Sequence, residues 1–177
     1  MAEHYYSRTP NIESDPKYWD FKLRGNNFRF KTDHGVFSKK EVDFGSRLLI
    51  EAFELAGEAG KILDVGCGYG PIGLSIAKSC ENIFVHMVDV NERALSLAKE
   101  NAQLNKISNV QIYESDRLTN VKDQDFSAIV TNPPIRAGKK VVHEIFEQSA
   151  THLRPGGGNV DSHSKKAGGP FCDWKTE

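Results

Sequence analysis

The run Asn132-Pro133-Pro134-Ile135 carries the most distinctive chemistry in the chain. An amine conjugated to a ring or a carbonyl is a poor nucleophile, so a protein acting on it must draw the nitrogen lone pair out of conjugation. The Asn132 amide oxygen and the Pro133 carbonyl can accept both N–H groups of such an amine, polarising the nitrogen and aiming it at an electrophile. Neither proline has an N–H to spend on its neighbours. Read alone, the same residues are also a proline-rich turn closing a strand.

A second constellation is Asp64-Val65-Gly66-Cys67-Gly68-Tyr69-Gly70, between an apolar strand and a helix that opens on Pro71. Glycines there let the backbone turn sharply and approach a ligand closely. Gly68-Tyr69-Gly70-Pro71-Ile72-Gly73 satisfies the GxGxxG pattern of dinucleotide binders, so the pattern does not choose a cofactor, and a plain strand-to-helix turn would use the same residues. Asp89 closes the next strand. An acid there can accept hydrogen bonds from ribose hydroxyls, or it can be a helix N-terminal charge beside Asn91.

These residues need a frame, and hydrophobic periodicity supplies one. Trp19, Phe21 and Leu23 alternate, as do Phe28 and Phe30, with Gly25-Asn26-Asn27 between the runs, which predicts a hairpin over about 17–31. Val42, Leu48, Leu49, Ala52 and Phe53 recur at helical spacing. From Lys61 strands and helices alternate: strands at Ile62–Val65, Ile83–Val88, Val110–Tyr113 and Phe126–Val130, and helices from Pro71, from the cap Asn91, and through Val142, Ile145, Phe146, Ala150 and Leu153. Pro155-Gly156-Gly157 is expected to stop the last helix. The alternation predicts an α/β fold, a doubly wound and mostly parallel sheet covered on both faces, behind an N-terminal β-hairpin.

At 177 residues the chain has room for one such domain. Its 23 lysines and arginines balance 24 acids, so nucleic acid would have to be met by a local patch. Two are available. Lys17, Lys22, Arg24, Arg29, Lys31, Lys39 and Lys40 stand against Asp20 and Asp33, and Arg136, Lys139 and Lys140 follow the two prolines; either set is equally a solvated face. The aromatics of the first patch read as hairpin core. The histidines form no ligand-spaced pairs, and Cys67, Cys80 and Cys172 make neither CxxC motif nor an even set, so no metal site or disulfide is expected. No membrane span or signal segment is expected, and a reducing cytoplasm fits.

The glycine loop, in the register Asp64, Gly66, Gly68, Gly70, resembles the DxGxGxG loop of class I S-adenosylmethionine-dependent methyltransferases. Asn132-Pro133-Pro134 resembles the NPP signature of their amino-methylating members, which modify adenine N6, guanine N2 or a glutamine amide. Taken with GVFSKKEVDFGSRLLIEAF, ILDVGCGYGPIGLSIAK, HMVDVNERALSLAKEN and IVTNPPIRAGKKVVHEIFE, the stretch from His4 to Gly157 resembles the small bacterial relatives of the small-subunit ribosomal RNA guanine-N2 methyltransferases. The resemblance implies S-adenosylmethionine as cofactor. Its methionine part would lie against the glycines, Asp64 near its amino group, Asp89 on the ribose and Asp116 on the adenine amine, although Asp116 read alone is an ordinary turn aspartate. It also implies ribosomal RNA as partner, held by Arg136, Lys139 and Lys140. Ile135 stands where an aromatic that stacks on the flipped base is usual, which favours guanine N2. Other readings stay open: an adenine-N6 or glutamine methyltransferase, an NAD-dependent oxidoreductase, and an inactive product that binds nucleotide or RNA.

The family's sheet has seven strands, and a fifth apolar strand is due after Gly157. Gly158-Asn159-Val160-Asp161-Ser162-His163 is polar where burial would demand valine, isoleucine or leucine. The expectation is a methyltransferase domain over 1–157 and an irregular tail over 158–177, produced by a shifted frame and early stop, with the fourth strand of the parallel sheet left as an uncovered edge.

Overall fold

A computed structural model of the chain describes residues 8–36, 41–54, 60–133 and 137–161. Two strands, β1 (Lys17–Leu23) and β2 (Asn26–Thr32), pair antiparallel as the hairpin. The turn is Arg24-Gly25, one step earlier than expected, with both residues at positive φ (49° and 77°). Such a two-residue connection follows the right-handed twist of the strands. After α1 (Phe44–Ala52) come β3 (Lys61–Val65), α2 (Pro71–Ser79), β4 (Phe84–Asp89), α3 (Glu92–Leu104), β5 (Val110–Glu114), β6 (Phe126–Thr131), α4 (Gly138–Ala150) and β7 (Leu153–Asp161).

The larger sheet has the order β5-β4-β3-β6-β7, with every neighbouring pair parallel. The chain builds outward from β3 to β5 and then returns to the other side of β3 as β6. The carboxyl ends of β3 and β6 therefore flank the switch point where open α/β sheets bind ligands. Alternation along the strands makes two cores. Ile62, Val85, Met87, Ala128 and Val130 face the layer that contains the hairpin, α1, α2 and α3, while Leu63, Val65, Val88 and Ile129 pack with Leu118, Val121 and Ile145 of α4.

Four of the hairpin aromatics join the core, Phe28 and Phe30 fully and Trp19 and Phe21 partly, while Tyr18, against expectation, is 53% exposed beside Arg29 and Lys31. Phe28 and Phe30 are buried and stacked at 5.3 Å, and Trp19 lies 5.3 Å from Phe30. Two asparagines four residues apart, Asn101 on α3 and Asn105 at its C-cap, tie this hairpin to the domain. Asn101 and Asn105 each accept a backbone N–H of β2 (Lys31 at 2.7 Å, Arg29 at 2.9 Å) and donate to the carbonyl of the same residue (3.0 and 2.9 Å). They satisfy the strand edge as a neighbouring strand would.

The carboxyl end of the sheet departs from expectation. Helix α4 ends at Ala150, Leu153 belongs to a strand rather than to the helical stripe, and Pro155, Gly156 and Gly157 lie within that strand instead of ending the helix. Strand β7 runs to Asp161, with Ala128, Ile129, Val130 and Thr131 of β6 paired to residues Gly158 through Asp161. The expected break at 157/158 thus falls inside a strand, and β6 is covered rather than an edge. An irregularity between Phe126 and Ala128, with Gly156 at φ 80°, absorbs the extra residues. A Cβ on Gly157 would come 2.9 Å from the Phe126 carbonyl, so close backbone approach takes the place of apolar side chains. Residues 162–177 lie outside the described residues.

Candidate active site

At the switch point the glycine loop is folded by its own backbone. The N–H groups of Gly66 and Cys67 both donate to the Val88 carbonyl at 2.9 Å, and Gly70 N–H donates to the Cys67 carbonyl at 3.0 Å. The side chain of Asp89 completes it, with Oδ2 accepting Gly68 N–H and Oδ1 accepting Asn91 N–H, each at 2.9 Å. Asp89 therefore shapes the loop as well as facing the cavity beside it. That cavity, of about 620 Å³, is lined by Gly66, Cys67 and Gly68, by Asp89 to Asn91, by Glu114 to Arg117, and by Thr131, Asn132 and Pro133. Gly66 and Gly68 have positive φ (72° and 57°), and a Cβ on either would meet no atom within 4 Å.

Gly70 and Asp64, which the resemblance sets against the methionine part of the cofactor and near its amino group, are not among the residues lining this cavity. Gly70 is the N-cap of α2 at φ 103°, a left-handed conformation that favours glycine, and a Cβ there would also crowd the Leu74 side chain at 2.8 Å. Asp64 is 1% exposed; its Oδ2 accepts Gly73 N–H from the first turn of α2 at 2.9 Å, and its Oδ1 has no partner. Burial, with Asp89 nearby adding to it against the Gly73 hydrogen bond, pushes this carboxyl up to about 7. Burial also raises Asp89, and it raises the Cys67 thiol well above its usual range, with Asp89 and Asp64 adding to that, so Cys67 is no ready nucleophile.

Raising Asp64 from 3.8 to about 7 means that the folded chain holds a proton that the unfolded chain has released. The Asp64 contribution to stability should therefore fall as pH rises from about 4 to 7 and level off above. Asp64→Asn keeps an acceptor for Gly73 without the charge. The variant should match wild type near pH 4 and exceed it by on the order of 2–4 kcal/mol at pH 8. Urea melts at the two pH values check this; parallel stability curves for the two proteins would refute it.

Asn132 follows β6 at the cavity wall, and its orientation is fixed. Its Nδ2 donates to Asp43 Oδ1 at 3.0 Å and to Ser46 Oγ at 2.8 Å. A carboxylate only accepts, so the amide nitrogen must face Asp43 and the amide oxygen the other way. Asp43 is also the N-cap of α1, accepting Ser46 N–H at 3.0 Å. Aspartate just before an apolar-periodic run signals a cap, but no sequence pattern links it to a residue 89 positions away. Asp43 and Ser46, both lining the cavity, are the site residues the sequence reading missed.

Asp116 stands at the mouth after β5, exposed and paired with Arg117 at 3.1 Å. Arg8 crosses the same rim, its guanidinium 3.0 Å from both Glu92 and Glu114. Pro134, Ile135 and Arg136 lie outside the described residues, while Lys139 and Lys140 are exposed on the first turn of α4. Of the hairpin basics, Lys17, Arg29 and Lys31 pair with Asp15, Asp20 and Glu100, and Arg24 donates to the carbonyls of Ile50 and Phe53. Lys39 and Lys40 lie outside the described residues. Among the described residues no group of His, Cys, Asp or Glu could hold a metal ion, and no helix is long and apolar enough to cross a membrane.

A glycine loop at the switch point, an acid closing β4 and an anchored asparagine-proline pair after β6 define an S-adenosylmethionine-dependent methyltransferase of the doubly wound α/β class. Residues 27–161 match the family described as "Methyltransferase small domain", and the chain belongs to it. A Bacillus subtilis relative, "Uncharacterized protein YbxB", is 57% identical over 178 residues, covering 100% of this chain and 89% of that one. "Ribosomal RNA small subunit methyltransferase C" of Photorhabdus laumondii is 30% identical over 150 residues, covering 82% of this chain and 44% of that one. The chain thus spans less than half the length of that relative. Among solved structures, "T. Thermophilus 16S rRNA N2 G1207 methyltransferase (RsmC) in complex with AdoMet and Guanosine" superposes with a TM-score of 0.72 at 28% identity, covering 84% of this chain and 42% of that one.

Proposed function

We propose that this protein transfers a methyl group from S-adenosylmethionine to an exocyclic base amine, guanine N2 of small-subunit ribosomal RNA, in the cytoplasm. The observation that carries the reading is the Asn132 amide, clamped by Asp43 and Ser46 at the wall of the glycine-loop cavity. Support comes also from the likeness to a guanine-N2 methyltransferase whose structure holds AdoMet and guanosine.

The site fits a nucleoside carrying an amino acid. Open space lies where side chains on Gly66 and Gly68 would stand, and the unpartnered Asp64 Oδ1 behind the loop suits an ammonium reached through water. Asp89 would take the ribose hydroxyls, since a carboxylate oxygen that accepts one N–H keeps a second lone pair. Asp116 would take the adenine amine. Bound there, S-adenosylmethionine supplies an electrophilic methyl group on a sulfonium.

The chain's own residues act on the amine. Asn132 Oδ1 accepts one N–H, since a carbonyl oxygen has two lone pairs and takes a substrate hydrogen beside any other contact. The Pro133 carbonyl accepts the other. Two acceptors in fixed positions pull the lone pair toward the nitrogen and hold it in line, so most of the acceleration is positional and electrostatic. Arg136, Lys139 and Lys140 would meet the flanking phosphates.

Titration calorimetry with S-adenosylmethionine, with NADH as control, tests the cofactor. Saturable binding of the first and none of the second is expected. Transfer of labelled methyl to small-subunit ribosomal RNA, followed by nucleoside analysis, should yield N2-methylguanosine. N6-methyladenosine or a methylated glutamine would overturn the guanine assignment, and a folded protein that binds no S-adenosylmethionine would overturn the enzyme reading.

A further inference from the structure

The basic residues of the hairpin are not equivalent. Lys17 and Lys31 are held by Asp15 and Glu100 at 2.9 and 2.6 Å. Lys22 is exposed on β1 and has no ion-pair partner among the described residues. It faces a groove of about 660 Å³ between the hairpin and the C-terminal end of α3, where Arg29, Lys78 and Lys106 join it against one carboxylate, Asp20. Arg29 meets Asp20 at 3.3 Å with both side chains more than half exposed, a pair that water screens and that a phosphate can replace. Lys78 lies 5.2 Å from the Phe28 ring and reaches the Asn105 carbonyl at 3.4 Å, and Lys106 is exposed and, like Lys22, without an ion-pair partner among the described residues. In a chain whose formal net charge is −1, this is a concentrated positive surface.

The groove and the cavity are joined by one path. The backbone from β2 onward runs antiparallel to α3, with Arg29 tied to Asn105, Lys31 to Asn101, and the Gly35 carbonyl accepting Asn91 Nδ2 at 3.0 Å. Asn105 lines the groove, while Val36 and Asn91 line the cavity that holds Asn132. From Asn91 to Asn105 is about 21 Å at ~1.5 Å per helical residue, a span of several nucleotides. Tyr18, opposite Lys31 in the hairpin and exposed, stands along the way.

Cations at one end of this path, an aromatic along it and a methyl-transfer site at the other end match an RNA strand, whose phosphates repeat and whose bases offer π-faces. We propose that the groove is a remote RNA contact, in which Lys22, Arg29, Lys78 and Lys106 hold phosphates several nucleotides away from the base in the cavity. Phosphate contacts position a strand without reading its sequence, so the groove anchors a long substrate and leaves the choice of base to the cavity. The inference rests on the reading of the substrate as RNA.

The test is fluorescence anisotropy with a labelled, guanine-containing RNA stem-loop over a range of salt concentrations, alongside calorimetry with S-adenosylmethionine. The proteins are wild type, Lys22→Gln, Lys106→Gln, the double variant, and Lys122→Gln, which removes a charge beside Val121 in the core on the opposite face of the sheet. Each groove lysine lost should reduce the slope of log affinity against log salt by about 0.7–0.9, and the double variant should bind RNA roughly ten- to fiftyfold more weakly near 0.1 M salt. Lys122→Gln should bind RNA as wild type does, and cofactor affinity should not move in any variant. Wild-type RNA affinity and slope in the double variant, or an equal loss per lysine in Lys122→Gln, would overturn the groove contact and leave the methyltransferase reading intact. A wild type that takes S-adenosylmethionine but no RNA would overturn both the contact and the RNA substrate. Phosphatidylserine vesicles that bind wild type and not the double variant, with RNA affinity unchanged between the two, would assign the groove to an anionic membrane surface instead.

Discussion

Asn132→Ala should lower the rate of methyl transfer by roughly 10²–10³-fold, the loss typical of removing one preorganised polar group from a transition state. Its affinity for S-adenosylmethionine should stay within about threefold of wild type, because the clamp acts on the amine. Single-turnover transfer with saturating cofactor separates the two effects. The clamp adds a finer expectation. Asp43→Ala releases the amide and also removes the α1 cap, costing about 1 kcal/mol of stability as well as rate. Ser46→Ala removes one of the two bonds to Nδ2 and keeps the cap, so it should slow transfer by less than Asp43→Ala without the stability loss. Asn132→Asp would set a second carboxylate against Asp43 and should be as slow as Asn132→Ala near neutral pH. An Asn132→Ala protein that transfers methyl at the wild-type rate would refute the role assigned to the amide.

Much of this frame was legible because it rests on local signals. Strand-glycine-helix punctuation found β3 and α2, Asn91 marked the start of α3, and alternation marked the hairpin. What stayed hidden depends on partners far along the chain. Gly158-Asn159-Val160-Asp161 looks too polar for a strand, yet its ladder to residues 128–131 of β6 is made by backbone groups that polarity does not report. Asn101 and Asn105 read as polar positions on a helix and are in fact the dock for β2. Gly66, Gly68 and Gly70 look equivalent in the motif, but the first two border the cavity and the third is the left-handed N-cap of α2, at φ 103°. Asp64 and Asp89 were both read as ligand acids. The first sits behind the loop with one oxygen unpartnered, and the second holds the loop as well as facing the cavity.

Asp89→Ala should weaken S-adenosylmethionine binding by about 10²–10³-fold, since two hydrogen bonds to a charged acceptor contribute roughly 1.5–3 kcal/mol each and part of that survives as bonds to water. The same change removes the acceptor of Gly68 N–H and Asn91 N–H, so weaker binding alone would not separate a ribose contact from a collapsed loop. A second perturbation on the ligand does. S-adenosylhomocysteine and its 2′-deoxy and 3′-deoxy forms differ only in the hydroxyls that Asp89 is taken to hold. Against wild type, each missing hydroxyl should cost affinity. Against Asp89→Ala that cost should shrink toward zero, because the partner is already gone, and the interaction energy of the cycle measures the contact itself. If Asp89 only shapes the loop, the penalty for the missing hydroxyl will be the same in both proteins, and the ribose must be held by other residues of the cavity wall.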